Sequence, residues 1–348
     1  MWILGLSGLL GNLFSLFWRL KAKTRNPAQA VQSFLIANLA VSDFFMGVYM
    51  VIVASADAYY GTDYFNYSDQ WRTGRPCRVA GFMSILSSEA SVFFLCVISY
   101  ERFMSAVFPF SKLRLTLFWS KMTVSILWLL TIVLSLVPIL LAGPESDFYD
   151  LSDVCIGLPL ITRPSNFQFE TNDLSQSLTF TLPVNEGSKP AWYFSIVIFL
   201  GVNLLCFVGI LVCYIAIFWS LKRSSSRVNR SGNGKDEMKM AVKMAVIVGT
   251  DFVCWMPVII MGILSQTGLV VLPLETYTWA VVFVLPINSS LNPYLYTIAS
   301  LVARRKNRIA PDESTMRSRV TRTDFDLKQT NGIPLGAVKV DSTGQSSA

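Results

Sequence analysis

Between Cys77 and Phe110 the chain reads CRVAGFMSILSSEASVFFLCVISYERFMSAVFPF. This is a run of about 20 mostly apolar residues, long enough to cross a bilayer as a helix, with a cysteine at its start and Glu101-Arg102 at its end. At about 1.5 Å of rise per residue, the stretch from Cys77 to Arg102 covers roughly 37 Å. The cysteine therefore lies at one membrane face and the charged pair at the other. Composition extends that reading to the whole chain, since 53% of residues are hydrophobic and only 15% charged, unlike an ordinary soluble domain. The net charge of +7 does not point to nucleic acid, because the basic residues sit in short loops between apolar spans and in the tail.

Six further spans follow the same pattern. The first runs from Met1 to Leu20 and is followed by Lys21, Lys23 and Arg25, the reverse of the charge order in a signal peptide. It begins already under way, which leads us to expect further sequence before it. The others cover about Val31 to Ala56, Trp119 to Ala142, Trp192 to Trp219, Met238 to Leu264 and Thr278 to Leu301. The expectation is an all-α membrane protein, a seven-transmembrane helix bundle over residues 1–305, with a polar, Ser/Thr-rich, disordered tail over 306–348.

Loop charge sets the orientation. Lys112, Arg114, Lys121, Lys222, Arg223, Arg227, Arg230 and Lys235 join the basic residues after the first span, and Arg304 to Arg308 open the tail. The opposite loops carry Asp63, Asp69, Glu145, Asp147, Asp150, Asp153, Glu170, Asp173, Glu186 and Glu275. By the positive-inside rule the C-terminus is cytoplasmic and the acidic loops are outside, as in a multi-pass protein of the plasma membrane. Cys77 and Cys155 then share the outer side and make one candidate disulfide, whereas Cys96, Cys206, Cys213 and Cys254 read as small core residues. Asn66-Tyr67-Ser68 is an outer glycosylation sequon; those at Asn229 and Asn288 fall in a cytoplasmic loop and in a span, and read as chance. The absence of histidine removes His-based triads and imidazole metal sites, and no residue set is assigned to a metal with certainty.

Ionisable residues within spans are expensive and are candidates for function. Asp43, Glu89 and Asp251 lie mid-span. Asn12, Ser91, Asn288, Ser289 and Asn292 fall at a depth similar to Asp43, and such an oxygen-rich set suits a sodium ion or ordered water; the alternative is a protonated, hydrogen-bonded Asp43. Pro257 beside Trp255 should kink the sixth span, and Pro293 the seventh. Glu89 reads equally as a ligand-pocket or a packing carboxylate.

Gly11-Asn12, Leu39 to Asp43, Glu101-Arg102-Phe103, Trp128, Cys254-Trp255-Met256-Pro257 and Asn292-Pro293-Tyr294-Leu295-Tyr296 occur in order, one per span except for the fifth. Over residues 1–305 the chain thereby resembles a rhodopsin-like G-protein-coupled receptor. Ser87 to Ser91, Thr250-Asp251-Phe252, Leu285 to Pro293 and Met46 to Tyr49 are similar to the leucine-rich-repeat-containing receptors, above all the relaxin-receptor branch and its invertebrate relatives. Members of that group carry a leucine-rich ectodomain before the first helix, which this chain does not contain. Glu101-Arg102-Phe103 stands where the family has Asp-Arg-Tyr, keeping the acid-base pair. Span five has no central proline, with Cys206 near that depth, which leaves its bulge an open question; Leu301 to Ile309 is a candidate eighth helix.

The resemblance implies no bond-making chemistry. It implies a two-state bundle biased by an outside peptide or glycoprotein hormone and read by a heterotrimeric G protein through movement of the sixth helix, within membrane lipid and with arrestin at the tail. Arg102 is expected to pair with Glu101 and with Glu237, and Asp251 with Asn288 and Asn292, the switch region including Trp255, Pro257, Pro293 and Tyr296. A non-signalling decoy or scaffold receptor is the alternative. A retinal pump is disfavoured, because the seventh span has no lysine.

Overall fold

In lipid, a backbone that satisfies its own hydrogen bonds is the only kind that spans stably, and helices account for nearly all of the structure seen. The computed structural model describes residues 1–21, 27–108, 111–141, 154–156, 194, 196–225, 232–266, 279 and 285–295. The tail over 306–348, Tyr296, the candidate eighth helix and most of the long loop after the fourth span lie outside the described residues.

The elements are α1 (Trp2–Lys21), α2 (Pro27–Tyr60), a 3₁₀ turn (Gly61–Asp63), α3 (Tyr64–Thr73), α4 (Arg75–Val107), α5 (Leu117–Leu141), a π-helical segment (Ile196–Val202), α6 (Asn203–Ser225), α7 (Gly232–Gln266) and α8 (Leu285–Pro293). Six apolar stretches among the described residues are long enough to cross a membrane; the seventh span is represented by α8 and Trp279. Helix α2 outruns its expected limits at both ends, because Ala and Tyr after Ala56 remain compatible with helix and only Gly61, at φ +47°, breaks it. The polar stretch after it forms α3, a helix held by Trp71, which is buried and lies 6.4 Å from the Tyr60 ring. The fifth span does contain a wide turn, Ile196–Val202, without a proline to induce it.

Small residues decide how closely the first helices approach. A Cβ on Gly47 would stand 2.6 Å from the Leu9 backbone nitrogen, and one on Gly8 would stand 3.6 Å from Gly47 Cα, so α1 and α2 touch backbone to backbone. Polar ties add direction within lipid. Asn12 Nδ2 donates to Ser289 O at 3.0 Å, joining α1 to α8. Ser87 Oγ donates to Ser42 O at 2.7 Å, joining α4 to α2, and Trp128 Nε1 donates to Asn38 Oδ1 at 3.0 Å, joining α5 to α2. Large apolar side chains such as Leu129, Leu205, Trp219 and Val253 are left exposed on the circumference, as expected where lipid is the solvent.

Candidate functional site

Asp43 on α2 is fully buried and is engaged on both oxygens. Ser91 Oγ on α4 donates to Oδ1 at 3.2 Å, and Asn292 Nδ2 on α8 donates to Oδ2 at 2.8 Å. The Ser289 hydroxyl also lies against this carboxylate. Three helices thus converge on one side chain. Asn292 Oδ1, and Asn288 Oδ1 one turn earlier on α8, are buried without a hydrogen-bond partner among the described residues. Unclaimed oxygens beside a carboxylate fit a hard cation or water as ligand. No group of three or more Cys, Asp or Glu that could hold a metal occurs among the described residues, so any cation here would rely on the single Asp43 carboxylate with amide and hydroxyl oxygens.

Asp251 corrects an expectation. It is 1% exposed on α7, but neither carboxylate oxygen accepts a hydrogen bond among the described residues, and the Asn292 amide expected for it is given to Asp43 instead. The two carboxylates are close enough to act on each other electrostatically. Amide donors go to the acceptor their helix faces, and α8 faces α2 with Asn292. Four residues further along α7, Trp255 is buried between Phe199 of the π-helical segment (ring centroids 6.3 Å, interplanar 21°) and Phe207 of α6 (6.3 Å), with Pro257 inside the helix just beyond it. Pro293 packs on α1, where a Gly11 Cβ would stand 3.0 Å from its Cγ.

At the other end of α4, Arg102 Nε donates to Glu101 Oε2 at 2.6 Å, and Ser105 Oγ donates to Glu101 Oε1 at 2.9 Å. Arg114 reaches the same Ser105 hydroxyl at 3.4 Å, so the pair is braced by the segment after the helix. Glu237 lies within α7, but its side chain is outside what is described. Cys77 and Cys155 are bonded, with Cα atoms 5.3 Å apart, and Asn66 is exposed on α3. Two contacts had no signal in the sequence beyond residue type. Tyr49 OH donates to Val154 O at 2.8 Å, fixing the loop next to the disulfide, and Asn203 Nδ2 donates to Glu89 Oε1 at 3.2 Å. Only the relative rotation of the helices reveals such pairs.

Membrane-length rods with an apolar circumference and a polar seam at mid-depth define a multi-pass helical protein of the membrane. Residues 12–296 match the family described as 7 transmembrane receptor (rhodopsin family), and the chain belongs to that family, a class of plasma-membrane receptors and not of enzymes. It is 36% identical over 312 residues to G-protein coupled receptor GRL101 of Lymnaea stagnalis, covering 88% of this chain and 25% of that protein. It is 32% identical over 301 residues to Relaxin receptor 2 of Homo sapiens (86% and 36%) and 30% identical over 310 residues to Thyrotropin receptor of Felis catus (87% and 35%). These are the relatives expected from the relaxin-branch resemblance. The chain spans about a quarter to just over a third of the length of the curated relatives it matches.

Proposed function

We propose that this chain is the signalling domain of a receptor for a peptide or glycoprotein hormone, and that it transmits binding outside to a heterotrimeric G protein inside by rearrangement of α7. The relatives named for relaxin and thyrotropin support the hormone class. The observation that carries the mechanism is the contrast within the polar seam: α2, α4 and α8 are tied through Asp43, while Asp251 of α7 is held by no hydrogen bond among the described residues. A helix that carries a proline and an unengaged carboxylate is the one freest to tilt. The Asp43 pocket takes a sodium ion or water, held by Asp43, Ser91, Asn288, Ser289 and Asn292. Arg102, released from Glu101 and from Glu237, is the residue offered to the G protein, and the tail is the segment offered to arrestin.

The test is nucleotide exchange on purified G proteins by the receptor in lipid nanodiscs. Arg102→Ala should abolish exchange at equal surface expression, and Glu237→Ala should raise the basal rate. If no G protein shows exchange above that of empty nanodiscs, with or without hormone, the reading fails and the decoy or scaffold role takes its place.

A further inference from the structure

Sulfur faces sulfur between α4 and α6. Cys96 of α4 and Cys206 of α6 are free thiols, each half-buried at the edge of the core rather than within it. Cys96 Sγ donates to the backbone carbonyl of Cys206 at 3.8 Å. The same thiol lies against the Cys206 thiol. Because Cys96 reaches the α6 backbone itself, the two helices pack here across side chains no longer than cysteine.

The pair is open to lipid. Leu205, beside Cys206, is 73% exposed. Gly209, one turn further along α6, has nothing within 4 Å of the position a Cβ would take, so a gap adjoins the Cys206 sulfur on its own face of the helix. Cys213 stands one turn beyond that glycine and acts electrostatically on Cys96. Cys77 and Cys155 are already bonded to each other, and Cys254 is on α7. Charged reagents and reductants are kept out of the hydrocarbon by their cost of entry. What does reach these thiols is an acyl chain, and a polyunsaturated chain oxidised along its length carries a hydroperoxide group to the helix surface.

We propose that Cys96 and Cys206 are an oxidisable thiol pair whose reagent is a lipid hydroperoxide and whose product is a disulfide joining α4 to α6. Cys206, next to the gap, attacks the terminal oxygen of the hydroperoxide. The O–O bond breaks, the lipid leaves as its alcohol with the thiol proton, and Cys206 becomes a sulfenic acid. Cys96 then attacks the Cys206 sulfur, the S–S bond forms as the S–O bond breaks, and water leaves with the second thiol proton. The two thiols lose two electrons in total, and the hydroperoxide gains them in becoming alcohol and water.

The receptor in phosphatidylcholine nanodiscs, exposed to linoleic acid hydroperoxide, alkylated, and digested without reduction, tests this by mass spectrometry. The expected product is a linked Cys96–Cys206 peptide pair, lighter by two hydrogens than its reduced parts, beside the Cys77–Cys155 pair that treated and untreated receptor share. Cys96→Ser removes the resolving thiol, so the linked peptide is lost and Cys206 is recovered as a sulfenic acid trapped by dimedone. Cys213→Ser leaves the linked peptide at its wild-type yield. Recovery of Cys96 and Cys206 as alkylated thiols after treatment overturns the proposal, as does a bond from Cys96 to Cys213 or to a second receptor molecule.

Discussion

Asp43 and Asp251 are both buried carboxylates, yet one is engaged on both oxygens and the other accepts no hydrogen bond among the described residues. On the α1–α2 seam, a Gly47 side chain would collide with Leu9, whereas Gly209 on α6 and Gly249 on α7 would meet nothing within 4 Å. The α1–α2 seam is closed backbone to backbone, whereas the tight contact on α7, at Gly262, is with the flexible Leu200 side chain, and Asp251 is left without a hydrogen bond among the described residues. Under the proposed mechanism, α1, α2, α4 and α8 are the frame and the α6–α7 side is the moving part.

The comparison breaks most readily at Gly47. Gly47→Val should destabilise the receptor by more than about 3 kcal/mol, beyond ordinary overpacking because the obstacle is backbone, with loss of surface expression by flow cytometry. If Gly47→Val expresses as well as wild type, the frame is not rigid there. Next, Asp43→Ala strands the Ser91 and Asn292 donors and should lower stability by about 2–6 kcal/mol, at about 1–3 for each stranded group, while Asp251→Ala should lower it by less than about 1. Thermal unfolding of the two variants in nanodiscs measures the difference directly, and equal losses would erase the distinction between the carboxylates. Trp128→Phe removes the hydrogen bond that ties α5 to Asn38 of α2, and should cost about 0.5–1.5 kcal/mol in the same assay. Smallest is Gly249→Ala, which fills open space in a helix and should stabilise by about 0.5–1 kcal/mol; destabilisation there would mean that the α7 side is as tightly packed as the frame.

The rods themselves were legible because lipid imposes a length and a polarity that any apolar run must meet, and the partners of Asp43 were legible because Ser91, Asn292 and Asp43 lie at one depth. Depth, however, is only one coordinate. Each residue step turns a helix by about 100°, so deciding that Asn292 gives its amide to Asp43 and not to Asp251 required a rotation that sequence does not carry. The same limit hid Glu89 and Asn203, whose meeting also depends on the extra width of the turn at Ile196–Val202. That turn is invisible to a reading that looks for proline, and α3 is invisible to one that looks for apolar runs.

Val154 and Cys155 are consecutive residues gripped by different helices, the first through its carbonyl by Tyr49 of α2 and the second through sulfur by Cys77 of α4. A load arriving along the loop therefore cannot be borne by one post alone. It is divided between a covalent mooring and a hydrogen bond, and the weaker of the two, at Tyr49, is where the rigging gives first.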